Sequence, residues 1–249
     1  MLRNPPYLNK NEIDFYFDQI NRNSEKITKS KKTIEFSLSG PKYSQTFEAD
    51  KKNSSTLKKL DILKEYLTQN NQIESGRLIS WPWERTVQFF HEKVTATKLF
   101  FPKSNLAEIH GLHHLVVWVS EPEYSVLSER SEKWDVSGSF LYLIETLYDT
   151  GIYKGGFLSG CSALQALANI VTNSTPIIKS MSPEFFGRHN NQHPIEKLES
   201  IGAVNIGERD IETIYRLRYM TDEQCFTHND GILYRCHDIL GYPLFIDAK

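Results

Sequence analysis

The segment from Trp134 to Cys161, WDVSGSFLYLIETLYDTGIYKGGFLSGC, constrains this chain more than any other stretch. Phe140, Leu143, Ile144, Leu147 and Tyr148 recur at the i, i+3, i+4, i+7, i+8 spacing, which puts apolar side chains on one face of a helix. Asp135, Ser137 and Gly138 precede that face as an acid and small-residue cap, and Gly151 stands where a glycine ends a helix. Gly155 and Gly156 then permit a backbone path that residues with a Cβ resist. Ser159, Cys161 and Ser162 supply the cap of a second helix, with Leu164, Leu167, Ala168 and Val171 on its face. Helix, glycine turn and helix N-terminus make a place that can hold a cofactor, without specifying which.

A chain of 249 residues with 39% hydrophobic content can bury a sizeable core. A net charge of −2 gives no drive toward nucleic acid or an anionic membrane surface, so neither is expected as a partner. The three cysteines, at 161, 225 and 236, have no metal-ligand spacing, and free thiols fit a reducing, cytoplasmic compartment. The opening MLRNPPYLNK lacks the apolar run of a signal peptide, and no stretch approaches a membrane span.

Along the chain, Ile13, Tyr16, Phe17 and Ile20 are spaced as a helix over 11–20, and Leu57, Leu60 and Leu67 as another over 57–67. Strands are expected at 33–38, 87–90, 112–120, 232–235 and 243–246, with a further candidate at 201–206. The run HLVVWV suits a central strand. Residues 75–84 read as irregular, 172–194 as a long loop or insertion, and Ile211, Ile214 and Tyr215 as the start of a helix. The expected architecture is α+β, one domain over 1–249, with helices dominating around a mixed or antiparallel central sheet. Its core spans about 12–170, and 171–249 form an elaborated C-terminal extension or insertion.

Four segments, taken in order, resemble the nitroreductase family of FMN enzymes. Ile20-Asn21-Arg22-Asn23-Ser24-Glu25-Lys26 is similar to the family's early Arg-Arg-Ser-x-Arg signature, with Asn23 and Lys26 in place of arginines. Glu74-Ser75-Gly76 through Trp81-Pro82-Trp83-Glu84 is similar to its Pro-Ser-x-x-Asn-x-Gln-Pro-Trp segment. A strand at 114–119 followed by Asp135-Val136-Ser137-Gly138 is similar to its Asp-x-Gly helix, and Gly155-Gly156 to its glycine pair. Ile239 to Pro243 is similar to its late Gly-Tyr-Pro. The resemblance covers residues 12–170 and implies a nitroreductase-like fold, a homodimer, and an oxidoreductase passing hydride from NAD(P)H through FMN to a small acceptor.

On that resemblance Arg22, Ser24 and Lys26 would hold the FMN phosphate or ribityl chain through charge-assisted hydrogen bonds. Backbone N–H groups at Gly155 and Gly156 would approach the flavin edge, with Ser75, Trp81, Pro82 and Trp83 beside the ring. Each feature also has a plainer structural account. Basic residues favour a helix C-terminus, Trp-Pro-Trp packs well as a loop, and paired glycines serve any tight turn. His113 and His114 are adjacent on an expected strand and point to opposite faces, which argues against a shared metal site.

Two other functional classes fit the sequence. A thiol hydrolase would use Cys161 at a helix start, where the dipole lowers a thiol pKa, with His228 as base and Asp230 or Asp247 to orient it. The Cys161, His228, Asp247 order is similar to that of papain-like enzymes. The third is a non-catalytic binding protein on a degenerate nitroreductase-like fold. The chain's departure from the family's phosphate clamp, and from its pattern beyond residue 170, points that way.

Overall fold

Strand alternation, rather than helical periodicity, governs most of the segments that build this protein. The computed structural model describes residues 7–31, 55–77, 89–102, 115–122, 138–145, 192–227 and 233–249, with backbone alone at 22–31, 218–227, 233 and 235. In chain order they form β1 (Tyr7–Leu8), α1 (Lys10–Lys31), α2 (Thr56–Gln69), β2 (Ile73–Ser75), β3 (Phe89–Phe101), β4 (Leu115–Ser120) and β5 (Ser139–Ile144). Helix α3 (Pro194–Ser200) and the long strands β6 (Val204–Thr227) and β7 (Leu233–Ala248) follow.

Strands β3, β4 and β5 pair antiparallel in succession, and β6 returns to lie antiparallel along the other side of β3. That is a Greek key. Strand β7 pairs antiparallel with β6 and parallel with β5, closing a five-stranded barrel with β1 and β2 as two extra strands. Closure removes the open edges that a flat sheet of this size would expose.

The barrel overturns the expected α+β nitroreductase-like arrangement of a helix-flanked central sheet with an elaborated C-terminal region. Residues 204–248, assigned to that region, supply two of the five barrel strands. Phe140, Leu143 and Ile144 lie in β5, not on a helix face, and all six residues of that strand are buried. A strand covered on both faces is apolar throughout, so it contains the i, i+3, i+4 positions of a helix by default. Ile211, Ile214 and Tyr215 likewise belong to β6. There Ile211 and Tyr215 face the barrel interior and Ile214 faces out. Thr213 is fully buried between the two inward residues, donating its hydroxyl to the Phe245 carbonyl at 2.8 Å, and its polarity hid the alternation. The expected strand at 33–38, the second helix over 162–171 and most of the 172–194 loop lie outside the described residues.

The interior packs Phe90, Ala96, Trp118, Leu141, Leu143, Tyr215, Ile239 and Ile246. Each fully buried large side chain stabilises by about 1.5–3 kcal/mol. Gly241 sits in this layer because a Cβ there would stand 2.5 Å from the Tyr215 ring and 2.9 Å from Leu143. Outside the wall, Ile13 of α1 and Leu60, Leu63 and Leu67 of α2 cover Phe89, Ile214, Leu244 and Phe245. Helix α2 starts at Ser55, whose Oγ accepts the Lys58 N–H at 3.3 Å, a cap worth about 1 kcal/mol. Asp14 and Lys59, 2.5 Å apart, tie α1 to α2.

Candidate functional site

Strand β2 pairs with β3 at Phe89–His91 and β4 pairs with β3 at Thr97–Phe101, both on the side away from β6. Between them, residues 92–96 of β3 have no strand on that side among the described residues. Arg77, two residues past β2, fills the gap. Its Nε donates to Glu92 Oε2 at 2.8 Å, its Nη1 to the Ser139 carbonyl at 2.8 Å and its Nη2 to Ser120 Oγ at 2.8 Å. Ser120 Oγ in turn donates to the Thr95 carbonyl at 2.7 Å.

Tyr215 completes the cluster, its hydroxyl donating to Glu92 Oε1 at 2.5 Å. Burial pushes the Tyr215 phenol well above its ordinary pKa, and the Glu92 carboxylate adds to the rise against the opposing Arg77 charge. The phenol therefore stays protonated and donates. With both Glu92 oxygens and the arginine fork engaged, the cluster is a seam that stitches β3, β4, β5 and β6 together.

A second polar group lies on the outer wall. Glu212 Oε1 is 2.9 Å from His91 Nε2 and 3.6 Å from Lys64 Nζ, and Glu212 Oε2 is 3.8 Å from Lys93 Nζ. Burial works to raise the Glu212 pKa, but the His91 hydrogen bond and the Lys93 and Lys64 charges outweigh it and hold the carboxyl below its usual range. This group docks α2 against the β3–β6 wall. Ser75 is the cross-strand neighbour of His91.

The third feature is a free edge. Residues 204–210 of β6 pair with β3, whereas β7 meets β6 from Ile211 onward. The Lys249 N–H donates to the Asp210 carbonyl at 3.0 Å, so Asp210 turns its backbone groups away from β3. Strand alternation turns those of Glu208 the same way, where no strand pairs among the described residues. Opposite Lys98 and Leu99 the ladder bulges, with Ile206 as the extra residue between Asn205 and Gly207. Gly207 accepts φ +117° there, and its N–H donates to Asn205 Oδ1 at 2.9 Å. Val204 and Ile206 are each 48% exposed, two large aliphatic side chains on the surface of this stretch.

Of the sequence-predicted cofactor residues, Arg22, Ser24, Lys26 and Ser75 lie among the described residues. Arg22, Ser24 and Lys26 lie inside α1, which continues to Lys31 instead of ending near Ile20. Positions 22 and 26 fall on one side of such a helix and position 24 on the other. Ser75 ends β2 on the exposed side of the sheet. Trp81, Pro82, Trp83, Gly155 and Gly156 lie outside the described residues, as do Cys161 and His228. Asp247 is on β7 opposite Glu212. No His, Cys, Asp and Glu side chains gather as a metal-ligating group among the described residues.

No family model, curated protein or solved structure matches this chain.

Arg77, Glu92 and Tyr215 escaped the sequence reading, although one signal was present. In FFHEKVTATKLFF, Glu92 occupies the inward parity of Phe90, Val94 and Ala96. A charge at an inward strand position needs a buried partner. The partner itself lay in a segment read as irregular.

Proposed function

We propose that the protein is a binding module in which the barrel is a rigid scaffold and the open wall of β6 at residues 204–209 takes a polypeptide partner. The carrying observation is that this stretch is paired on one side and presents half-exposed Val204 and Ile206. An exposed strand edge offers unpaired N–H and C=O groups to an added strand. Charges and a bulge commonly blunt such an edge, and β6 has both, yet blunting does not account for two exposed aliphatic side chains.

Five-stranded Greek-key barrels include the OB-fold, whose members bind oligonucleotides and oligosaccharides on the face of their second and third strands. That analogy rests on architecture alone. The corresponding strands here, β4 and β5, are buried on both faces, and the chain carries a net charge of −2. Both observations favour a polypeptide over a nucleic acid.

Among the described residues no helix is long and apolar enough to cross a membrane. The cytoplasmic assignment adds to that the buried Cys236, which is in no disulfide and suits a reducing compartment. The flavin oxidoreductase reading keeps short sequence likenesses as its support once the barrel replaces the nitroreductase fold. The test is selection of a random-peptide display library on the protein and on an Ile206→Asp variant. Peptides enriched on the first and lost on the second support the reading, and identical enrichment on both removes this surface from it.

A further inference from the structure

One end of the barrel carries two cations on its inward face. Lys98 alternates along β3 with the inward Ala96 and Phe100, and Arg209 of β6 stands opposite Ala96, two residues before the inward Ile211. Lys98 pairs with Gly207 in the same ladder, so Lys98 and Arg209 are diagonal neighbours, with β-carbons about 8 Å apart or less. The Lys98 ammonium lies 4.9 Å from the centre of the Trp118 ring, whose indole N–H donates to Glu145 Oε1 at 2.7 Å. Among the described residues neither Lys98 nor Arg209 forms an ion pair. Like charges at this range repel each other. Glu92, the other charge at an inward position of β3, is matched by Arg77 and Tyr215. The nearby acids Glu208 and Asp210 face the outer side, where Asp210 Oδ1 accepts the Thr95 hydroxyl. Arg209 is exposed and Lys98 half-buried, and a Cβ at Gly207 would meet nothing within 4 Å, so the rim is open beside both cations.

We propose that this rim binds the phosphate group of a small phosphate ester between the Arg209 guanidinium and the Lys98 ammonium. The arginine fork takes two oxygens side by side, and the lysine, a point charge, takes a third from the β3 side. A carboxylate has two oxygens, which the fork alone engages, so it leaves Lys98 unmatched. Half-buried Phe100 and Ala248, on the same inner face, offer an apolar wall to the organic part of the ester. The Lys98 side chain is already held over Trp118, so it loses little freedom when the anion arrives. The site uses inward side chains at the barrel end and not the backbone edge of β6, so it stands or falls apart from the polypeptide reading.

The probes are phenyl phosphate, inorganic phosphate and benzoate, each titrated into the labelled full chain and followed by NMR at the Trp118 indole N–H and the Gly207 amide. Phenyl phosphate should move both signals saturably, bind more tightly than the other two probes, and weaken as salt rises. Arg209→Gln should weaken it about tenfold, the usual worth of a hydrogen bond to a charged group. Arg209 is exposed, and a spectrum otherwise like the parent's shows that the variant is folded. Lys98→Gln should weaken the same probe to a similar degree. Benzoate binding as tightly as phenyl phosphate would overturn the choice of phosphate, and inorganic phosphate doing so would overturn the ester. Signals that phenyl phosphate leaves unmoved, or that it moves equally in Arg209→Gln, would overturn the site.

Discussion

Arg77 and Glu92 form an ion pair of 2.8 Å inside the barrel wall, with the Glu92 side chain 1% exposed. Removing one partner leaves a buried charge, which typically costs about 3–5 kcal/mol. Arg77→Met should therefore lower the urea midpoint sharply. Arg77→Met combined with Glu92→Leu should recover part of the loss, leaving the Tyr215 hydroxyl without its acceptor at a cost of about 1–3 kcal/mol. Adding Tyr215→Phe should recover more. A single variant no less stable than the double would show that the pair does not govern the seam.

The outer group at Glu212 should make stability depend on pH. Its folded pKa is depressed, so the native state favours the ionised carboxyl. That stabilisation is complete above the ordinary glutamate pKa of about 4.3 and is lost as pH falls through and below it. Denaturation midpoints of the parent chain should decline over that acidic window more steeply than those of Glu212→Gln. Parallel curves for the two proteins would show that His91, Lys64 and Lys93 do not couple to this carboxyl.

How much of this was legible in the sequence depended on which faces of an element are buried. Helix α2 was readable because one side packs on the barrel and the other is wet, which leaves a clean 3.6-residue pattern. Strand β4 was readable as a strand because LVVWVS is one short apolar run. Strand β5 was not, since FLYLI satisfies either period when everything around it is buried. Strand β7 was seen as two pieces, 232–235 and 243–246, with Gly241 between them. Gly241 makes room for Tyr215, and Pro243 stands at a ladder irregularity opposite the same residue. The β6 edge was legible only as a loose strand candidate at 201–206, because an edge is defined by which strand fails to pair with it. That depends on closure of the barrel, a long-range property that local patterns do not record.

Gly241 gives a direct test of the interior packing. A methyl group at this position meets the Tyr215 ring, which is held by its bond to Glu92 and cannot swing aside freely. Gly241→Ala should cost about 1–3 kcal/mol, as overpacking of a filled core does. A double-mutant cycle with Tyr215→Leu should give a coupling energy of at least about 0.5 kcal/mol, because the two substitutions share one contact. Additive losses would place the cost of Gly241→Ala elsewhere than at Tyr215.

Docking of α1 on the barrel turns on Tyr16. Its hydroxyl accepts from Arg216 Nη1 at 2.7 Å, and its ring meets Phe89 edge-on with centroids 5.1 Å apart. Burial first, and then the nearby Glu12 carboxylate, push the phenol pKa up against the pull of Arg216, so the hydroxyl is neutral at any working pH. Tyr16→Phe removes the acceptor but keeps the ring, and should cost about 1.5–3 kcal/mol at most, as hydrogen bonds to charged groups do. Tyr16→Ala removes both and should cost about 3–5 kcal/mol. Hydrogen exchange should locate the damage: amides of residues 10–21 should exchange faster in both variants, more so in Tyr16→Ala, while those of β4 and β5 stay protected. Exchange rising equally in helix and barrel would mean that α1 and the barrel unfold as one unit, and that Tyr16 does not act as a local anchor.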